Sequence, residues 1–387
     1  MRFSFGRRGR PAAAANVVQT SPPPGFDWDK GMLGLDEQCR LYDRLRESVP
    51  LIDAALCKIV RLTMGDITVS LGDKKAEREL AAFLERVPVS GGGAGLGEFL
   101  ARYLDSLLCY GNAVGEVVLD HKRGEIAGLY HASLADVEAR PGENPLETRI
   151  FSRSGGFDLR PVPYPQLVLF SALSPRPGEA VGRSLLRSLP FVSDVLLKIF
   201  EATRQNFERV GNVRFAVTYH PGDGPMDRAY AQEMARHIAD EWRSAISAQD
   251  GRVRDFVCVG DVDIKVIGAD NQVLDIQVPV RQMTEQIVAK LGVPPFLLGL
   301  QWSTTERMSA QQADILTSEL DCYRTQLNAV IRRIVGIWLG LRGIEDEPVI
   351  TWESINLQDE VELAKARLYD AQARQLEQIL ERGEVKP

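Results

Sequence analysis

The segment LLCYGNAVGEVVLD, residues 107–120, changes its hydrophobic period partway along. From Phe99 to Leu108 the apolar residues recur at helical spacing, whereas from Ala113 they fall into a short β-rich run. Helix thus gives way to strand within a few residues. The β pattern then continues through GEIAGLY (124–130), TRIFSRS (148–154) and QLVLF (166–170), with turn residues in HKRGE and RPGENP between them. This predicts a small antiparallel β region behind a helical N-terminal part, and an α+β fold.

Towards the N-terminus, Leu41, Leu45, Val49, Ile52, Leu56, Ile59 and Leu62 predict an amphipathic helix over 36–63, kinked near Pro50. A strand is expected at Ile67–Leu71 and a helix at Lys75–Val87. The run SGGGAGLG (90–97) invites a phosphate-loop reading, which fails because neither Walker nor dinucleotide-fingerprint spacing is present. A plain flexible loop is the expectation there. Residues 1–34, rich in Pro, Ala, Gly and Arg, read as a flexible arm.

Towards the C-terminus, Ser184 reads as the N-cap of a long helix that Gly211 ends, with Pro190 bending its first turns. Residues 213–275 form a separate small α/β module. It comprises a strand VRFAVTY, a turn HPGDGP, a helix over 227–246, and the strand pair DFVCVG and VDIKVIG. A helix follows over Val280–Leu291. In LGVPPFLLG (291–299), Pro294 and Pro295 end that helix while Phe296, Leu297 and Leu298 supply buried anchors. After the polar stretch QWSTTERMS comes a long helix over Ala310–Leu341, with Leu316, Leu320, Tyr323, Leu327, Val330, Ile334 and Trp338 on one face. A strand VITWESI and a charged helix over 359–382 complete the chain.

With 44% hydrophobic and 26% charged residues over 387 positions, the composition is globular and long enough for more than one core. A net charge of -7 argues against a protein that grips DNA phosphates tightly, which needs clustered Lys and Arg. Cys39, Cys57, Cys109, Cys258 and Cys322 are scattered among apolar neighbours and read as reduced packing residues. No apolar run suits a membrane span or a signal peptide, so a soluble cytoplasmic chain is expected.

Chemistry is sparse. His121, His131, His220 and His237 lack metal-ligand spacing, no nucleophile elbow is present, and no cofactor or metal is expected. Asp261 and Asp263 share one face of a strand, which suits a cation or, more simply, a solvated surface. The function is therefore sought in architecture, with no enzyme activity expected.

In the order LLCYGNAVGEVVLD, GEIAGLYHASLADVEAR, LVLF, VGRSLLRSL, FERVGN and LGVPPFLLGL, the chain resembles the portal proteins of long-tailed phages from about Leu41 to the C-terminal helix. That resemblance implies a portal fold: a wing (35–183 and 310–357), a stem (184–212 and 276–299), a clip (213–275), a tunnel loop (300–309) and a short crown (358–387). It further implies a dodecameric, head-to-tail ring at one capsid vertex. Such a ring would pass double-stranded DNA in packaging and ejection, nucleate capsid assembly, and bind the terminase large subunit, major capsid protein, scaffold and head-tail adaptor proteins, with no membrane partner. The location implied is the virion, after assembly in the host cytoplasm. The tunnel loop would offer Gln301, Ser303, Thr304, Thr305 and Arg307 to the DNA backbone, unless it is an ordinary surface loop. The clip would offer His220, Asp223, Asp227 and Arg228 for docking. Phe170 stands where many relatives carry His, which suggests a packing role. The alternative is the connector or portal of a gene transfer agent or other virus-like particle, with a phage-encoded enzyme further behind.

Overall fold

The computed structural model describes residues 35–120, 124–144, 147–153, 159–211, 214–220, 224–246, 262–267, 275–300, 306–355 and 374. The expected arm (1–34), the strand DFVCVG and, apart from Arg374, the C-terminal helix over 359–382 lie outside the described residues, as do Cys258, Asp261 and His121.

The kink expected near Pro50 is a full break between α1 (Leu35–Ser48) and α2 (Pro50–Thr63). Proline lacks the N–H that a helix interior needs, but at the first helical position that donor is unpaired anyway. Val49, forced towards extended backbone by the proline after it, has φ -122° and separates the helices. Both pack on α4 (Leu96–Tyr110), whose Phe99, Leu100, Tyr103, Leu104, Leu107 and Leu108 are fully buried. Such a helix is the centre of a core rather than its cover. Between them lie β1 (Ile67–Ser70) and α3 (Lys74–Arg86), the latter capped by the Asp73 side chain accepting the Lys75 N–H at 2.8 Å.

The glycine run is not a loose loop. It forms β2 (Pro88–Val89), a tight turn at Ser90–Gly92 and β3 (Gly93–Ala94). The Arg102 guanidinium closes over the turn, donating to the Ser90 carbonyl and lying 2.9 Å from where a Cβ on Gly91 would be. These strands form one edge of a five-stranded sheet with β4 (Asn112–Asp120), β5 (Glu125–His131) and β9 (Val168–Ala172), in the order β3-β2-β5-β4-β9. The β2–β5 pair is parallel and the others antiparallel. The expected single β region thus becomes two sheets, because β6 (Val137–Pro141), β7 (Thr148–Ser152) and β8 (Arg160–Pro161) pair among themselves. Phe170 packs against the cluster of Val114, Leu134 and Val168, the packing role its identity suggested.

Two of the quoted motifs meet at close quarters. Gly111, at φ +78°, ends α4 in the left-handed region, and a Cβ there would lie 2.3 Å from the Arg183 carbonyl carbon. A Cβ on Gly182 would lie 2.2 Å from the Gly111 oxygen. The crossing is stitched by Gly182 N–H to Asn112 Oδ1 at 2.8 Å, Leu173 N–H to Gly111 O at 2.8 Å and Leu185 N–H to Leu108 O at 3.0 Å. Ser184 works here, not as a helix cap: its hydroxyl donates to the Cys109 carbonyl at 2.5 Å and accepts the Leu186 N–H at 2.9 Å. The helix expected from Ser184 starts instead as α5 (Leu189–Gly211), with Pro190 in its first turn, where it bends nothing.

Residues Val192–Ala289 form a second compact unit, separate from the one made by the flanking stretches. Within it β10 (Arg214–Tyr219) pairs antiparallel with β11 (Val262–Ile267), and α6 (Pro225–Ile246) packs on β10. Towards the C-terminus, α7 (Gln277–Leu291) leads to the Pro-Pro turn and then to α8 (Glu306–Arg342), 37 residues long. Leu316, Leu320, Leu327, Val330, Ile334 and Trp338 on α8 are buried as their spacing predicts. Finally β12 (Val349–Trp352) pairs antiparallel with β1, Trp352 opposite Ile67.

One buried cation locks this closure. Arg324 of α8, only 6% exposed, donates from Nε to the Thr63 carbonyl at 2.9 Å and from a terminal nitrogen to the Glu353 carbonyl at 2.7 Å. Thr63 ends α2, so its carbonyl has no helical partner and takes the guanidinium instead. The indole of Trp352 lies 5.0 Å from the guanidinium carbon.

Candidate functional site

The segment LGVPPFLLG keeps its helix-ending role but inverts its expected anchors. Gly292 turns the chain at φ +69°, and Val293 and Pro294 are buried. Pro295–Leu298 then form one tight turn closed by Leu300 N–H to Pro295 O at 3.0 Å, with Gly299 left-handed at φ +74°. Phe296, expected inside, is 40% exposed, while Leu297 and Leu298 are half-buried. A turn this tight points successive side chains to different sides, so three consecutive residues cannot all face one core.

Leu297 and Leu298 border an open groove of about 900 Å³ along α1 and α2. Its lining residues belong to an ionic network in which Arg46 reaches Asp53 at 2.7 Å and, beyond the lining, Asp105 at 2.8 Å, while Asp43 accepts the Tyr110 hydroxyl at 2.6 Å. The network fixes the cradle on which the turn sits.

Of the residues expected to touch DNA, Gln301, Ser303, Thr304 and Thr305 lie outside the described residues. Arg307 is exposed in the first turn of α8, so the polar stretch ends sooner than QWSTTERMS suggested, with Glu306 already helical. A cation there opposes the positive end of the helix dipole, at a cost of roughly 0.3–1 kcal/mol that a bound polyanion would offset.

Of the expected docking residues, His220 is exposed at the end of β10, and Asp223 lies outside the described residues. Asp227 and Arg228 fall in the first turn of α6, and their side chains lie outside the described ones. The structure adds residues that the sequence reading passed over. Met226, Tyr230 and Met234, at 73%, 57% and 44% exposure, form a stripe at every fourth position of α6, with Ile238 buried beyond it. The i, i+4, i+8 spacing was the available signal.

Cys39 and Cys109 are held as thiols. Burial, then nearby Asp43, pushes the Cys39 thiol up to about 11, and burial pushes Cys109 up to about 12, so neither forms a thiolate near neutrality. Among the described residues no three His, Cys, Asp or Glu side chains converge as metal ligands. No described helix is long and apolar enough to cross a membrane.

Residues 66–338 match the family model described as phage portal protein. The fold is similar to that of a chain in the virion of a native gene transfer agent particle, with TM-score 0.60, 15% identity, and 92% of each chain covered. It is also similar to a chain in the neck of an empty gene transfer agent particle, with TM-score 0.64, 14% identity, and 88% of this chain and 90% of that one covered. A chain in the neck of the native particle, computed with C12 symmetry, gives 0.57 at 16% identity, over 84% and 89%. No curated protein sequence matches.

Proposed function

The chain belongs to the phage portal protein family, and on that premise we propose that its copies close into a ring at one vertex of a DNA-carrying particle. The family match carries this reading, since residues 66–338 include both flanks of residues 301–305. Portal proteins are structural parts of a particle, and the chain is accordingly not an enzyme.

The particle favoured is of the gene transfer agent type rather than a tailed phage. Support comes from the fold likeness to the gene transfer agent chains, which spans 84–92% of this one. In this reading the ring forms by a head-to-tail contact that rotation closes, and it passes double-stranded DNA. A net charge of -7 suits a conduit that must let a polyanion slide, because each retained phosphate contact adds salt-dependent affinity. Gln301, Ser303, Thr304, Thr305 and Arg307 would face the duplex.

The unit Val192–Ala289 would contain the clip, with His220, Asp223, Asp227 and Arg228, now joined by Met226, Tyr230 and Met234, meeting the terminase large subunit and later the adaptor proteins. The unit built on α4 and the five-stranded sheet would be the wing that faces major capsid protein and scaffold.

Replacing residues 301–305 with two glycines tests the channel role while leaving the first turn of α8 intact. Rings should still form, and particles carrying the variant should hold less DNA. Unchanged DNA content would remove the loop from the channel.

A further inference from the structure

The larger unit holds a groove of about 680 Å³ bordered by four cations, three of them without a carboxylate partner among the described residues. Arg183 and Arg187 line it from the segment before α5 and Lys290 from the end of α7, and none of the three forms an ion pair among the described residues. Arg183 Nε is enclosed and meets no acceptor among the described residues. A fourth cation, Arg176, is held only loosely by Glu179 at 3.7 Å. Gathering like charges around a half-enclosed space is unfavourable unless an anion enters it.

The opposite imbalance stands beyond the end of α8. In GIEDEP (343–348), Glu345 and Glu347 are exposed and form no ion pair among the described residues. The turn that presents them is fixed at both ends. Gly343 is left-handed at φ +66°, and the Asp346 carboxylate accepts the Gly72 N–H at 2.7 Å. No ion pair joins these two charge sets among the described residues. The groove reaches α8 no further along than Gln326, and the rigid helix from there to Arg342 spans about 24 Å at 1.5 Å per residue.

We propose that Glu345 and Glu347 of one copy dock into the Arg183, Arg187 and Lys290 groove of the next, each copy giving its turn on one side and its groove on the other. This rests on the ring reading above and supplies it with a heterologous contact. The lining favours a peptide turn over a nucleic acid. Leu173, Leu185 and Tyr323 offer apolar surface to side-chain carbons, and Glu319 can accept a peptide N–H.

The test uses full-length chain with Arg187→Glu and Lys290→Glu together, with Glu345→Lys and Glu347→Lys together, and with all four changes. Each pair should raise the protein concentration for half-assembly about tenfold, and the four together should return it to within about threefold of wild type. Thermal melts that match wild type show that the variants fold. An independent readout uses Cys322, which is exposed on the groove lining. Glu347→Cys with a short bismaleimide should give a ladder of covalent oligomers, and adding Cys322→Ser should abolish it. The contact is overturned if wild type forms rings while the groove pair assembles equally well, or if the four changes together fail to restore assembly. Normal assembly of the groove pair with weakened binding to a fluorescent DNA duplex would likewise overturn it, in favour of a phosphate ligand. A wild-type chain that never assembles overturns the ring reading itself, and this contact with it.

Discussion

Arg324→Met is the substitution whose cost the structure defines best. Methionine keeps most of the apolar volume but removes the donors to Thr63 O at 2.9 Å and Glu353 O at 2.7 Å. The Thr63 carbonyl left buried without a partner costs about 1–3 kcal/mol, and the part-buried Glu353 carbonyl costs less. Losing the cation over the Trp352 indole, 5.0 Å away, adds about 0.5–1 kcal/mol. Relief of the guanidinium's own desolvation returns part of this, leaving a net loss of about 2–4 kcal/mol. Arg324→Lys, with a point charge in place of a planar fork, reaches one carbonyl and should lose roughly half as much. Urea unfolding followed by tryptophan fluorescence reads both, with the midpoint falling at constant slope. A methionine variant within about 0.5 kcal/mol of wild type would refute the claim that this residue holds α2, α8 and β12 together.

Other consequences are as direct. Gly111→Ala places a Cβ 2.3 Å from backbone at φ +78° and should cost about 2–5 kcal/mol in the same unfolding assay. Gly97→Ala, on α4 with nothing within 4 Å, should be neutral or stabilising by up to about 1 kcal/mol. Burial, and then the Arg102 charge, hold the His131 imidazole below its ordinary pKa of 6.5. The unfolded chain therefore takes up that proton first, so the associated stability is complete above pH 6.5 and falls as pH drops through the native value. The melting temperature of His131→Gln should depend less on pH just below 6.5, and an unchanged dependence would contradict this. Maleimide should label exposed Cys322 in the folded protein, whereas Cys109, pushed up to about 12, should label only on unfolding; peptide mass mapping distinguishes them.

What the sequence showed, and what it hid, follows from the range of each interaction. The face of α8 was readable because Leu316, Leu320, Leu327, Val330, Ile334 and Trp338 obey a local period. Arg324, on the same face, was not, since an arginine among exposed charges reads as surface until the carbonyls of Thr63 and Glu353 are brought to it. Gly111 and Gly182 carried no local sign of their contact, because the close approach joins segments far apart in sequence. The misplaced start of α5 has the same origin: Ser184 has the chemistry of a helix cap, yet the Cys109 carbonyl competes for its hydroxyl. Among candidate site residues, Met226, Tyr230 and Met234 share a local i, i+4, i+8 spacing, but the spacing alone does not say whether that face is buried or exposed.

The central claim is a closed ring with a hole. Native mass measurement of the purified full-length chain, with negative-stain images of the same sample, tests it most directly. The expected result is one dominant assembly whose mass is an integral multiple of the 42.9 kDa subunit and whose end-on views show a rotationally symmetric ring around a central channel. A chain that stays monomeric across assembly-permitting concentrations and salts, or that forms only open filaments, would contradict it.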